Sequence, residues 1–134
     1  MAKFIFSAFC DESSEDSIEG QIKACKENNI THMELRGFGE KLNINNLSTE
    51  QAKEMKKVID RENMSVASIG SGYGKIEITD AFEPHFEAFK NTVEVAKILG
   101  AKYIRMFSFY FTNGESYSEY RDEVIRRVQA MADY

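Results

Sequence analysis

Glu34 stands in the middle of His32-Met-Glu-Leu-Arg36, a segment short and apolar enough to be a buried strand. A carboxylate is costly to bury there unless it is paired or used. Used, it hydrogen-bonds a substrate hydroxyl or orients a neighbouring cation, and so is the candidate catalytic group. Paired, it forms an ion pair with Arg36, which shares its strand face at i+2. Arg105, inside Tyr103-Ile-Arg-Met-Phe107, poses the same question. Its planar fork suits carboxylate, phosphate or sugar oxygens, and Glu34 is the alternative partner. Either way, the two side chains are expected to approach each other.

Other motifs carry weaker chemistry. Gly70-Ser-Gly-Tyr-Gly74 with Lys75 suggests a phosphate loop. It lacks the Gly-Lys-Ser/Thr of a P-loop and the dinucleotide fingerprint, so a loop needing positive φ is the simpler reading. Asp11 and Glu12 invite comparison with the acidic pocket of a receiver domain. That pocket needs an Asp after strand three and a Lys after a fifth strand, where this chain has Ser68-Ile-Gly-Ser71 and no fifth strand. The run Asp11 to Asp16 reads more simply as a solvated turn, with Ser13 and Asp16 forming a capping box. His32 and His85 are the only histidines and have no ligand spacing around them. Cys10 and Cys25 are expected to be small buried hydrophobes. The aromatic residues Tyr103, Phe107, Phe109, Tyr110 and Phe111 either fill a core or stack on a sugar ring.

The elements that must position these groups follow from hydrophobic period. Phe4–Phe9, His32–Arg36, Ser65–Ile69 and Lys102–Phe109 read as strands. Between them lie amphipathic stripes: Ile18, Ile22 and Cys25, stopping at Asn28-Asn29; Ala52, Met55, Val58 and Ile59 behind a Ser48–Gln51 capping box; Phe86, Phe89, Val93 and Ala96, capped by Asp80 with Glu83 and ended by Gly100; then Tyr120, Val124, Val128 and Met131. Pro84 fits the first turn of the third helix. Strand then helix, four times at intervals of roughly thirty residues, is the signature of βαβ units and a parallel sheet. In such sheets functional groups gather at the C-terminal ends of the strands. That rule selects Cys10, Asp11 and Glu12, Glu34 and Arg36, Ser68 and Ser71 with Lys75, and Arg105 and Ser108. Of these Glu34 is the candidate catalytic residue, and Arg36, Ser68, Ser71, Arg105 and Ser108 are the candidate substrate-binding ones.

Composition narrows the partners. The 134 residues are 43% hydrophobic, enough for one core, and 12% aromatic, too rich for disorder. A net charge of −5 argues against binding nucleic acid through phosphate neutralisation. No apolar run approaches the ~20 residues of a membrane span. With only two cysteines and no signal-peptide pattern, a cytoplasmic setting is expected.

Three stretches together carry a resemblance: Thr31-His-Met-Glu-Leu-Arg-Gly37, Ser65-Val-Ala-Ser-Ile-Gly-Ser71 with Gly74-Lys-Ile76, and Ala96-Lys-Ile-Leu-Gly-Ala-Lys-Tyr-Ile-Arg-Met-Phe-Ser108. In order and spacing they resemble the N-terminal half of the sugar phosphate isomerase/epimerase family, the xylose-isomerase-like TIM barrels, although Asn29 stands where a Gly is usual. The resemblance implies an α/β fold made of the first four βα units of a (β/α)₈ barrel, a half-barrel with parallel strand order 1-2-3-4. The expectation is a single partial domain over 1–134 without its C-terminal half. It further implies metal-assisted proton transfer beside a carbonyl of a sugar or sugar phosphate. A divalent metal (Mn, Zn, Mg or Co) is expected in the full-length family member, on ligands from later strands. No residue here inherits that role, so this chain alone is expected to carry no cofactor and to be inactive. The apurinic-site endonucleases share the barrel but place metal-binding histidines where this chain has Ser68–Ser71 and Phe107–Phe109, which disfavours DNA repair.

Two other readings stay open at this stage. One is a non-catalytic half-barrel that pairs with a second copy, through open strand edges, or with a separate C-terminal half. The other is a flavodoxin-like small-ligand or receiver domain, which requires helices on both faces of the sheet.

Overall fold

The computed structural model describes residues 4–13, 17–40, 42–111, 114 and 116–134. Four strands, β1 (Ser7–Phe9), β2 (His32–Leu35), β5 (Ser65–Gly70) and β6 (Tyr103–Arg105), form one parallel sheet in that spatial order. Between β2 and β5 a small antiparallel hairpin intervenes, β3 (Gly37–Phe38) with β4 (Leu42–Asn43). The helices are α1 (Ile18–Glu27), α2 (Thr49–Arg61), α3 (Phe82–Leu99) and α4 (Tyr117–Ala132). Among the described residues no helix is long and apolar enough to cross a membrane.

Alternation along β2 sets the two faces of the sheet. Met33 and Leu35 are fully buried, whereas His32 and Glu34 on the other face are half-buried. The buried face meets Ile22 and Cys25 of α1, Ala52, Met55 and Ile59 of α2, and Val95, Ala96 and Leu99 of α3 in one core. All these helices cover the same face, and the strands neighbour one another in chain order. This is the half-barrel arrangement, and it overturns the flavodoxin-like reading, which needs both faces covered.

Local signals explain most helix ends. Ser48 and Gln51 form the reciprocal capping box of α2. Asn29 at φ 57° and Asn63 at φ 54° turn the chain out of α1 and α2, and Gly100 at φ 76° does so after α3. Two capping expectations are corrected. The α1 cap is Ser17, whose hydroxyl accepts from the Gly20 N–H at 3.1 Å; Ser13 instead donates to Cys10 O in a 3-10 turn, Cys10–Ser13, and Asp16 lies outside the described residues. Nor does Asp80 cap α3, because its carboxylate accepts from the Glu77 N–H.

Both outer strands are shorter than their apolar runs. Phe4, Ile5 and Phe6 precede β1 at 80%, 72% and 73% exposure, since no described residue packs over that open edge. After β6 the backbone leaves the sheet, and residues 107–110 run beside the segment that follows β5. Phe107 N–H donates to Tyr73 O, Phe109 N–H to Gly74 O and Tyr110 N–H to Ile76 O. Phe109 takes φ 75° there. Its ring joins Tyr73, Ile78, Phe82, Phe89 and Met131 in a second apolar cluster, which ties α3 and α4 to these two segments.

His85 packs against this second cluster through Tyr73 and Phe109. Its Nε2 accepts the Gly74 N–H at 2.8 Å, and its ring meets Tyr73 edge-on. Burial, with Arg127 nearby, holds its pKa below the ordinary imidazole value. The unfolded chain therefore takes up this proton first as pH falls below about 6.5. Stability is expected to drop with pH from there until the lowered folded-state pKa is passed. Denaturant midpoints between pH 7 and 5 should show the slope in the native chain, and His85→Gln, which keeps an acceptor but does not titrate, should flatten it.

Candidate functional site

The open face of the sheet carries Glu34 at its centre. Glu34 Oε1 accepts from the Ser7 hydroxyl at 2.6 Å, and Oε2 accepts from the Ser68 hydroxyl at 3.0 Å. Three adjacent strands thus converge on one carboxylate. A register shift brings Ser68 to it: Met33 pairs with Val66, but Glu34 pairs with Ser68. The extra residue in β5 is Ala67, and this bulge turns Ser68 toward the open side while Ile69 stays in the core.

Neither anticipated ion pair of Glu34 forms. Arg36 turns toward β1, where Nε donates to Asp11 Oδ2 at 2.8 Å and Nη2 to Glu12 Oε1 at 3.0 Å. These carboxylates hold its pKa above the usual guanidinium value. Asp11 is accordingly not part of a solvated turn, since its side chain is only 17% exposed. Arg105 does not reach Glu34 either. Its Nη2 donates to the carbonyls of Ser71 at 3.2 Å and Gly70 at 3.4 Å. Among the described residues, Glu34 has no cationic partner and Arg105 no carboxylate.

What Arg36 and Arg105 share is Phe9. The Arg36 guanidinium sits 5.0 Å and the Arg105 guanidinium 5.1 Å from the centre of its ring. Such contacts contribute roughly 0.5–2 kcal/mol each and hold two like charges apart at fixed positions. The ring fits because β5 ends in Gly70: a Cβ at that position would lie 2.5 Å from Phe9 Cε1. Arg105 also lies 5.0 Å from the Phe107 ring, and Lys75 Nζ sits 4.5 Å from that same ring. The result is a cationic rim at the C-terminal ends of the strands. Two buried polar atoms on it, Asp11 Oδ1 and Arg105 Nε, have no hydrogen-bond partner among the described residues. Unsatisfied buried polar atoms are costly, so each of these calls for a partner such as an ordered water or a polar ligand.

The remaining candidates separate. Ser71 is fully buried, donating to Arg105 O at 2.5 Å and accepting from the Tyr73 N–H, so it braces Arg105 and leaves no free hydroxyl. Ser108 is exposed and shares a shallow hollow with Met106, Phe107 and Val128, beside α4 rather than Glu34. The glycine-rich loop does not cradle an anion. The N–H groups of Gly72, Tyr73, Gly74 and Lys75 already donate to Asn45, Ser71, His85 and Gly72. Of its glycines only Gly74, at φ 84°, needs the left-handed region. Sequence reasoning missed Ser7 and Phe9. Ser7 was legible in principle, as a polar residue two before Phe9 on the same strand face; nothing in the sequence marks the Phe9 ring as a spacer between cations.

A hollow of about 740 Å³ runs from Ser7, Glu34 and Ser68 down to Ser65, Gly100 and Lys102. Its lower part lies at the N-terminal ends of the strands, where barrel folds place stability rather than chemistry. Among the described residues no three His, Cys, Asp or Glu side chains converge on one point, and Asp11 Oδ2 is taken by Arg36.

The sequence pattern of the xylose isomerase-like TIM-barrel family matches residues 22–134. The chain belongs to that family. No curated protein matches it by sequence. Among solved structures, the probable 3-DHS dehydratase AsbF from Bacillus anthracis, involved in petrobactin synthesis, superposes with a TM-score of 0.71 at 16% identity, covering 98% of this chain and 47% of that one. A xylose isomerase domain protein from Alicyclobacillus acidocaldarius gives 0.65 at 12% identity, over 96% and 44%. The 3-keto-D-glucoside 4-epimerase YcjR from E. coli gives 0.58 at 19%, over 88% and 48%. At these identities the likeness is one of fold. The chain spans about half the length of each, as four βα units of an eightfold barrel must.

Proposed function

We propose that this chain is the N-terminal portion of a sugar phosphate isomerase/epimerase-like enzyme, and that its own part is to bind and orient a polyhydroxylated, anionic substrate. The observation that carries this reading is the rim itself. Among the described residues Arg105 has no carboxylate partner and an unsatisfied buried Nε, and the Oδ1 of Asp11, which holds the other guanidinium on Phe9, is equally unsatisfied. Arg105 suits a phosphate, carboxylate or sugar oxygen, with Lys75 adding charge from across Phe107. Glu34 uses one acceptor site of each oxygen on Ser7 and Ser68. Its remaining lone pairs are available to a substrate hydroxyl, or to a proton moved beside a carbonyl. The family's metal-assisted step finds no ligand set among the described residues, so catalysis is assigned to the longer protein and binding to this chain. Among the neighbours, one is named a probable 3-DHS dehydratase and one a 3-keto-D-glucoside 4-epimerase, and the latter supports a sugar-like substrate.

The test is titration of the chain with fructose 6-phosphate, followed by the Arg105 Nε–H resonance. Weak saturable binding without turnover is expected. Arg105→Met removes a charge-assisted hydrogen bond, so affinity should fall roughly tenfold to a hundredfold, while Lys53→Ala on α2 should change little. Binding that ignores the Arg105 change would contradict the reading.

A second reading is favoured by the exposed Phe4, Ile5, Phe6 and Tyr103 on the two open edges. A copy rotated by half a turn about the barrel axis would set its β1 beside β6 and its β6 beside β1, making eight strands. Sedimentation equilibrium should then report twice the chain mass, and Phe6→Glu should return a monomer. A single-chain mass at high concentration would exclude it.

A further inference from the structure

Cys10 and Cys25 take no part in the site described above. Cys10 opens the 3-10 turn that follows β1, and Cys25 lies in the last turn of α1. They are 2% and 4% exposed, and their sulfur atoms are 3.0 Å apart. That is only about 1 Å beyond the ~2.05 Å of a disulfide. Burial, reinforced by the neighbouring thiol, pushes the Cys10 pKa up, so the folded chain does not display it as a reactive nucleophile. The pair is therefore poorly suited to thiol catalysis. Its geometry, however, suits a cross-link between two elements joined otherwise by the chain between residues 10 and 25.

We propose that Cys10 and Cys25 are a modification site, forming an intramolecular disulfide at the expense of a low-molecular-weight disulfide such as oxidised glutathione. One cysteine, as its thiolate in a transiently opened or still folding chain, attacks a glutathione sulfur. The glutathione S–S bond breaks, one glutathione thiolate leaves, and a mixed disulfide remains. The second cysteine thiolate then attacks the protein sulfur of that mixed disulfide, closing the Cys10–Cys25 bond and releasing the other glutathione. The protein gives up two electrons and two protons, and oxidised glutathione becomes two thiols. Closure fixes the 3-10 turn to α1. Asp11 and Glu12 are the next residues of that turn, and both hold Arg36. Oxidation thus pins the acidic arm that positions Arg36, one of the rim cations, whatever ligand the rim takes.

The experiment is to equilibrate the chain in graded glutathione redox buffers, in native buffer and in concentrated guanidinium chloride. Free thiols are then trapped by alkylation and the peptides mapped by mass. The two thiols are expected to disappear together into a Cys10–Cys25 peptide. Its closure constant should be roughly a hundredfold larger for the folded than for the denatured chain, the size expected for a loop of this length when the native geometry accepts the bond. Equal closure constants in the two conditions would overturn the proposal. So would mixed glutathione disulfides outnumbering the closed pair in native buffer.

Discussion

Gly74→Ala is expected to destabilise the chain by about 4 kcal/mol, a large part of the ~5–15 kcal/mol that holds a domain folded. Gly74 has φ 84°, where an L side chain costs roughly 1 kcal/mol by itself. Most of the loss is steric. A Cβ there would stand 1.9 Å from Phe107 O and 2.5 Å from Phe107 C. Both are backbone atoms, so no rotamer change relieves the clash. The two segments must part, losing the hydrogen bonds of Phe107 to Tyr73 and Phe109 to Gly74 and opening the cluster around Phe109 and Phe82. Gly72→Ala is the matched control. Its Cβ would meet only Asn45 Nδ2, at 3.0 Å, and that side chain can yield, so a loss below about 1 kcal/mol is expected. Denaturant midpoints of the two variants measure the difference.

Gly70→Ala is expected to do the opposite, sparing the fold and damaging the site. Its Cβ would lie 2.5 Å from Phe9 Cε1 and 3.2 Å from Arg36 Cβ. The atom in the way is the far edge of a half-buried ring, which can swing aside for about 1 kcal/mol. Swinging aside removes the surface against which both Arg36 and Arg105 rest. Binding of fructose 6-phosphate should weaken at least about tenfold, since two cation–π contacts and the fixed spacing of the guanidiniums are lost together. A variant that unfolds, or one that binds as well as the native chain, would show that Gly70 is not there for the ring.

These two glycines also mark the limit of what the residues disclose in order. The loop Gly70–Gly74 reads as one glycine-rich stretch, yet Gly70 answers to a ring from β1, and Gly74 to a carbonyl beyond β6. Local signals were legible because their physics is local: the alternation of β2, the capping box of α2, the stops at Asn29 and Gly100. Strand order 1-2-3-4 was equally legible, because consecutive crossovers permit few alternatives. The site was harder. Glu34 and Arg105 were singled out for the cost of burying charge, but they do not pair with each other: two serines, one from a bulged strand, meet Glu34, and backbone carbonyls and a phenylalanine ring hold Arg105. Bulge position and ring placement depend on contacts between strands far apart in sequence. The short β1 has a related cause: Phe4, Ile5 and Phe6 have strand-forming composition but no described residue to pack against.

The most direct test of the half-barrel and its open-face site is a set of nuclear Overhauser contacts across the sheet of the isotopically labelled chain. The expected pattern links Ser7 with His32, Met33 with Val66 and Ile69 with Ile104, with Glu34 side-chain protons close to both Ser7 and Ser68. Contacts placing β6 beside β1 or β2 within one chain, or joining helix methyl groups to Ser7, Glu34 and Ser68, would contradict it.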